Sequence, residues 1–261
     1  MRFISEQLLD GADGGGDGGR GEVGDGNSVR QREFTLGDVP GYLWTPASAS
    51  PSAPVPLILL GHPGDLRRMY PRLVGRAQHS AADGFATATI ELPGSGTRPR
   101  SEPAEQARAD LRQAIQAGGP VPDEIVERLI LPLVKAAVPE WRTTLDALLA
   151  LPELHGPVGI AGGVIAIAIR LALTEPRIAA AGLFAGSYVP RSMFTEARQV
   201  TIPLHVLLQW DDEGNDRQAA LDLFDAFGSK EKTLHANMGG HTGVPHFAQD
   251  DSGRFFARHL R

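Results

Sequence analysis

From residue 29 to the end of the chain, short apolar runs alternate with longer stretches of helical periodicity. Runs such as residues 56–60 are apolar at every position, which is typical of parallel strands buried on both faces. This alternation predicts a largely parallel sheet with helices on both faces. The predicted strands are 30–36, 41–45, 57–60, 86–90, 158–161, 180–184, 204–209 and 233–236, of which the first two form an antiparallel hairpin.

The region between residues 101 and 151 is rich in Ala, Leu, Arg and Glu and has helical periodicity. Because Gly and Pro interrupt helices, we expect breaks after residue 117 and near Pro132 and Pro139. Residues 101–138 are then predicted to form a helical lid over one edge of the sheet. A separate helix over 141–151 would lead into the next strand, and the lid's apolar residues would pack mainly on the body.

Residues 10–28 consist mostly of Gly and Asp. Such a segment buries too little apolar surface to offset the entropy of ordering it. We therefore predict a flexible N-terminal segment over 1–28 and a single α/β domain over 29–261. Alternating Asp residues could suggest calcium binding, but the closing Glu of an EF-hand loop is absent, which favours the flexible segment.

Composition narrows the classes of function. A length of 261 residues suits one large domain. The sequence contains no run of about 18 apolar residues, the length that a membrane-spanning helix requires. No apolar segment of a secretory signal follows Met1, so we expect a cytoplasmic protein. The absence of Cys excludes a thiol nucleophile, and a net charge of −6 without a basic stripe argues against nucleic-acid binding. We expect no cofactor and no metal, and oligomeric state is left open.

Five short motifs follow the ends of predicted strands. A strand-to-helix turn with Ala161 at its apex is the central one, because such a turn is where a nucleophile is commonly exposed. The acidic run at 211–213 and His241 follow it in the order nucleophile, acid, base. In sequence order the motifs are Leu60-Gly61-His62-Pro63-Gly64, Leu92-Pro93-Gly94-Ser95-Gly96, Gly159-Ile160-Ala161-Gly162-Gly163, Trp210-Asp211-Asp212-Glu213 and Gly239-Gly240-His241-Thr242-Gly243.

With these motifs the chain resembles the dienelactone-hydrolase-like branch of the α/β-hydrolase superfamily over residues 29–261. The resemblance implies an α/β-hydrolase fold with a mostly parallel eight-stranded sheet. It also implies hydrolysis of a small-molecule ester, lactone or thioester through an acyl-enzyme. In this family's scheme Ala161 occupies the nucleophile position, Asp212 is the acid with Asp211 as the alternative, and His241 is the base.

Other positions are candidates for binding rather than for proton transfer. Pro63 has no N–H, so Gly64 and Gly162 are the expected backbone donors of an oxyanion hole. Tyr70 and Ser187 follow strand ends at the carboxyl edge, where ligands bind in open α/β sheets, and are candidate substrate contacts.

Alanine at the nucleophile position leaves three hypotheses. The chain could be a serine hydrolase silenced by a Ser→Ala change at residue 161. It could instead be a lyase, isomerase or cyclase that uses the His241–Asp212 pair without a covalent step. A binding protein that keeps the fold without the reaction is the third.

Overall fold

A computed structural model describes residues 1–10, 28–118 and 120–261. Nine strands form one sheet in the order β1-β2-β3-β5-β4-β6-β7-β8-β9. Strands β1 to β3 are antiparallel to their neighbours, and β5, β4 and β6 to β9 run parallel. The strands are β1 Arg2–Leu9, β2 Val29–Leu36, β3 Val39–Pro46, β4 Val55–Gly61, β5 Ala86–Ile90, β6 Leu154–Gly162, β7 Ile178–Phe184, β8 Leu204–Gln209 and β9 Lys232–Asn237.

Helices cover both faces of this sheet. Helices α1 and α7 pack on one face, whereas α3 and α4, followed by α5 and α6, pack on the other. No helix in the described parts of the chain combines the length and apolar character needed to cross a membrane. The helices are α1 Leu66–Ala82, α2 Glu102–Gln116, α3 Asp123–Leu149, α4 Ile165–Thr174, α5 Phe194–Ala197, α6 Arg217–Ala226 and α7 Phe247–Leu260.

Strand β4 shows why the central strands are apolar throughout. Leu57 and Leu59 belong to the core beneath α3 and α4, and Ile58 and Leu60 belong to the core beneath α1 and α7. Because side chains alternate across a strand, a strand covered on both faces needs apolar residues at every position. The predicted fold, a mostly parallel sheet with helices on both faces, is confirmed.

The N-terminal boundary differs from the prediction. Arg2–Leu9 forms β1 and pairs antiparallel with β2, so the sheet has nine strands instead of eight and the flexible segment predicted over 1–28 is wrong for these residues. Backbone hydrogen bonds to β2 hold this strand, and its side chains are nearly all exposed. Because the strand buries no face, its sequence lacks the pattern of apolar residues from which a strand is predicted. The Gly/Asp-rich part, with its calcium hypothesis, lies outside the described residues.

Helix α3 is longer than predicted. It runs without interruption from Asp123 to Leu149 through Pro132 and Pro139, so the breaks predicted at these two prolines are wrong. The break predicted after residue 117 is confirmed, because α2 ends at Gln116. A buried face that includes Trp141 and Leu145 packs on the sheet, and this packing offsets the hydrogen bonds lost at the prolines. From Val126 onward, the predicted lid is part of the main core.

Candidate active site

An aspartate and a histidine meet at the carboxyl edge of the sheet. Asp212 follows β8 and His241 follows β9, and because these strands are neighbours their loops adjoin. Asp212 Oδ2 accepts a hydrogen bond from His241 Nδ1 at 2.7 Å. The carboxylate side chain is only 3% exposed, whereas the imidazole is 53% exposed. One nitrogen of the histidine is therefore held by a buried charge while the ring faces outward.

The two predicted carboxylates have different partners. The second oxygen of Asp212, Oδ1, accepts a hydrogen bond from the Gly214 N–H at 3.1 Å. Asp211 is exposed, and its Oδ2 accepts the Gly239 N–H at 3.2 Å, which ties the histidine loop to the end of β8. The structure thus brings Asp212, rather than Asp211, to His241. A carboxylate on Nδ1 leaves Nε2 as the nitrogen that can take a proton.

The end of β7 contacts one side of the His241 ring. Phe184 contacts it edge-on, with the ring centroids 5.2 Å apart. A Cβ placed on Gly186 would come within 2.9 Å of His241 Cε1. Among the described residues, none forms a hydrogen bond with Nε2. This nitrogen is the free proton acceptor of the site.

The strand-to-helix turn lies two residues beyond its predicted position. Strand β6 continues through Gly162, and α4 begins at Ile165, so Gly163 and Val164 form the turn. Ala161 lies inside the strand, paired with Leu60 and Gly182, so its prediction as the apex is wrong.

Two glycines with positive φ explain the later turn. Gly162 has φ 69° and Gly163 has φ 78°, a region that side chains with a Cβ rarely adopt. A Cβ on Gly163 would lie 2.6 Å from the Gly61 Cα, so only glycine lets β4 and the turn approach this closely.

The turn carries no nucleophile. No residue from 158 to 173 has a hydroxyl or a thiol, so this holds wherever the apex is placed. Val164 lines a cavity of about 10 Å³ together with Trp141, Ile160 and Ile167, and this space is no larger than a single water needs. Apart from the buried His62, the side chains that line the region behind the turn are apolar.

The two predicted oxyanion donors differ in their surroundings. The Gly64 N–H donates to His62 Nδ1 at 3.1 Å, and His62 Nε2 in turn contacts the Ile90 carbonyl at 2.9 Å. The Gly64 N–H is therefore engaged by the buried His62, and its role as an oxyanion donor stays a prediction. Gly162 was predicted as the amide after the apex, but the corresponding amide after the observed turn is that of Ile165.

The two candidate substrate contacts differ in position. The Tyr70 hydroxyl donates to Gln31 Oε1 at 2.8 Å, and its ring packs on Tyr42, so Tyr70 belongs to the β2–β3 end of the sheet, remote from β8 and β9. Ser187 follows β7, and its Oγ accepts the Ile165 N–H at 3.4 Å. The structure brings Ser187, but not Tyr70, to the edge that holds His241.

Two further residues, Arg76 and Tyr188, lie near the site. Arg76 of α1 donates to the carbonyl oxygens of Gly61 at 3.3 Å and Ala161 at 2.9 Å, and burial lowers the pKa of Arg76 to about 10. The Tyr188 hydroxyl donates to the Gly214 carbonyl at 3.3 Å. Burial, and then the charge of Asp212, raise the pKa of Tyr188. Tyr188 follows the end of β7, which is a signal that the sequence carries, whereas only the tertiary contacts reveal Arg76.

Three further histidines, His205, His235 and His246, do not contact the Asp212–His241 pair. His235 is within β9, and His246 directly precedes α7. His205 is buried in β8, and burial lowers its pKa to about 4. In residues 1–10, 28–118 and 120–261, no group of three or more His, Cys, Asp or Glu side chains is arranged to hold a metal ion.

Several solved structures with a similar fold are esterases. The chain is similar to a cold-adapted esterase from an Arctic intertidal metagenomic library, with 27% identity, a TM-score of 0.69, and coverage of 89% of this chain and 95% of that one. It shares its fold with an acetyl xylan esterase from Paenibacillus sp. R4, with 14% identity, a TM-score of 0.59, and coverage of 98% and 88%. It also shares its fold with Est1E from Butyrivibrio proteoclasticus, bound to ferulic acid, with 12% identity, a TM-score of 0.60, and coverage of 87% and 98%.

No protein-family model and no curated protein sequence matches the chain. The sheet order, the helices on both faces and these neighbours define the α/β-hydrolase fold. Within that fold the carboxylate–histidine pair is in contact, and the turn before α4 is apolar.

Proposed function

We propose that this protein hydrolyses small carboxylic esters, with His241 as the base and Asp212 orienting it. The 2.7 Å contact between the buried carboxylate and His241 Nδ1 is the observation that carries the proposal. The 27% identity to an esterase over 89% of the chain supports the same class of substrate. Lactones and thioesters, which share the acyl carbon, belong to the proposed range, and the cytoplasm remains the proposed location.

The pair can perform general acid–base catalysis. Nε2 accepts a proton from the attacking group, and Asp212 stabilises the imidazolium that forms. The same nitrogen then returns the proton to the departing alkoxide. This cycle needs an attacking oxygen near Nε2, either from a side chain or from water.

The proposal does not depend on residue 161. A silenced nucleophile at Ala161 would have to reach the site from within β6, where its methyl group belongs to the core beneath α1 and α7. We therefore do not propose that a Ser→Ala change at this position inactivated the protein.

The apolar turn favours a second candidate function. A fold that holds no hydroxyl between residues 158 and 173 could bind a ligand without hydrolysing it, or move a proton with His241 in a lyase, isomerase or cyclase reaction. An assay of ester hydrolysis distinguishes the two candidates, because only the first predicts hydrolysis.

The test compares p-nitrophenyl acetate hydrolysis by the unaltered protein with that by the His241→Gln variant. We expect the rate above the buffer background to fall by about 10²–10⁴-fold, the usual contribution of a general base. The matched control is His235→Gln, the same change in β9 outside the site, which should retain the rate. An unaltered protein without hydrolysis, or equal rates in both variants, would contradict the proposal.

A further inference from the structure

A serine hydroxyl lies at the place that the turn leaves without one. Ser187 follows β7, the strand next to β6, at the same carboxyl edge. Its Oγ accepts the N–H of Ile165, the first residue of α4, at 3.4 Å. The hydroxyl therefore lies at the N-terminus of α4, the helix that follows β6, although it comes from the end of the neighbouring strand β7.

The residues on both sides of Ser187 contact the acid–base loops. Gly186 lies against the ring of His241, and Tyr188 donates its hydroxyl proton to the Gly214 carbonyl. Gly214 also donates its N–H to the carboxylate of Asp212. The chain around Ser187 is thus held at the histidine on one side and at the acid on the other.

Glycine at 186 is required for this approach. A Cβ there would overlap the Phe184 ring and would lie 2.9 Å from His241 Cε1, closer than real Cβ contacts. Cε1 is bonded to Nε2, the nitrogen with no partner among the described residues. The backbone before Ser187 therefore runs directly beneath the free edge of the base.

We propose that Ser187 is the nucleophile of this protein, replacing a residue of the turn before α4. The inference rests on the proposed ester hydrolysis and adds the covalent step to it. The Gly186-Ser187 segment leaves β7 against the ring of His241, so a hydroxyl follows directly after the residue that touches the base, and the apolar residues of the turn can serve as packing.

The reaction follows from these positions. Ser187 Oγ attacks the ester carbonyl carbon while its proton passes to His241 Nε2, and the carbon–oxygen double bond becomes a single bond to an oxyanion. When this intermediate collapses, the bond to the alkoxide breaks, and the alkoxide takes the proton from Nε2. Water then attacks the Ser187 ester in the same way, which releases the carboxylic acid and restores the hydroxyl.

The beginning of α4 supplies donors for the oxyanion. The first amides of a helix have no intrahelical acceptor and carry partial positive charge. In the free protein the Ile165 N–H donates to Ser187 Oγ. When the acyl carbon is bonded to Oγ, the oxyanion on that carbon can take this N–H, with the Ala166 N–H of the same first turn as the second donor. These amides replace the predicted pair of Gly64 and Gly162.

A covalent probe tests the assignment directly. The protein is treated with a fluorophosphonate, and the labelled peptide is identified by mass spectrometry. We expect a label on Ser187 that disappears in Ser187→Ala and in His241→Gln. The control is Ser192→Ala, an exposed serine five residues further on, which should be labelled like the unaltered protein. A label on another residue, or none, would overturn the inference.

A thiol provides a second readout that needs no substrate. The chain has no Cys, so Ser187→Cys and Ser192→Cys each contain a single thiol. Because a neighbouring base favours the thiolate, we expect iodoacetamide at pH 7 to react at least tenfold faster with the first variant, and His241→Gln should remove the difference. Equal alkylation rates would overturn the inference.

The outcomes separate this inference from the proposed function. Hydrolysis that depends on His241 but persists in Ser187→Ala would refute the nucleophile and leave the proposed function standing, with water as the attacking group. Labelling of Ser187 in a protein that hydrolyses no ester would contradict the proposed function alone.

Discussion

The turn between β6 and α4 and the loops after β8 and β9 lie at the same edge of the sheet but are built differently. At the turn, Gly163 and Val164 present only backbone and apolar atoms, which pack against α3 and the end of β4. In the loops, both oxygens of Asp212 have hydrogen-bond partners, and the imidazole of His241 is held by one of them.

This difference shows which parts of a site can change independently. A buried carboxylate without partners is costly, so Asp212 and the groups that bind it depend on one another. A residue in the turn has no such partner, and an apolar side chain there adds to the core. The nucleophile position could therefore become apolar while the loops kept their polar contacts, and a hydroxyl from β7 would complete the site.

The largest expected effect is on the loops after β8 and β9, which hold Asp212 and His241. Asp212→Asn removes the charge that orients His241 and stabilises its cationic form, so ester hydrolysis should fall by up to about 10⁴-fold. Asp211→Asn is the matched control, because Asp211 contacts the Gly239 backbone and not the imidazole. Initial rates with p-nitrophenyl acetate measure both variants. If the control lost as much activity as Asp212→Asn, the assignment of the acid would be wrong.

The turn itself should be sensitive to a single methyl group. Gly163→Ala places a Cβ on a residue with φ 78° and 2.6 Å from the Gly61 Cα, so the free energy of unfolding should fall by about 3 kcal/mol. Gly75→Ala, in α1 with no atom within 4 Å of the new Cβ, should raise it by about 0.5–1 kcal/mol. Urea unfolding measures both. If the free energy of unfolding fell by similar amounts in the two variants, the close approach to Gly61 would not be the reason that residue 163 must be glycine.

The smallest expected effect distinguishes the predicted apex from the observed turn. Ala161→Ser adds a hydroxyl to the apolar core beneath α1 and α7, so the free energy of unfolding should fall by about 1–2 kcal/mol without any gain in hydrolysis. The variant is compared with the unaltered protein by urea unfolding and by fluorophosphonate labelling. A label on residue 161 that depends on His241 would return the nucleophile to β6.

Much of the fold and half of the site could be predicted from the sequence. Apolar runs such as the one in β4 mark strands buried on both faces, and the order of the motifs places Asp212 and His241 after neighbouring strands. Local pattern could not detect β1, whose exposed side chains carry no such signal. The local pattern also overestimated the helix-breaking effect of Pro132 and Pro139, because packing of a long apolar face holds α3 together.

The sequence by itself determined that the turn region contains no hydroxyl or thiol and that acid and histidine follow it in order. Only the tertiary structure decided that the turn falls at Gly163 and Val164, that Gly64 donates to His62, and that Ser187 lies at the beginning of α4. The reason is physical. Strand and helix periods are local properties of the chain, whereas the exact end of β6 depends on how closely glycine backbones from β4 and β6 can approach.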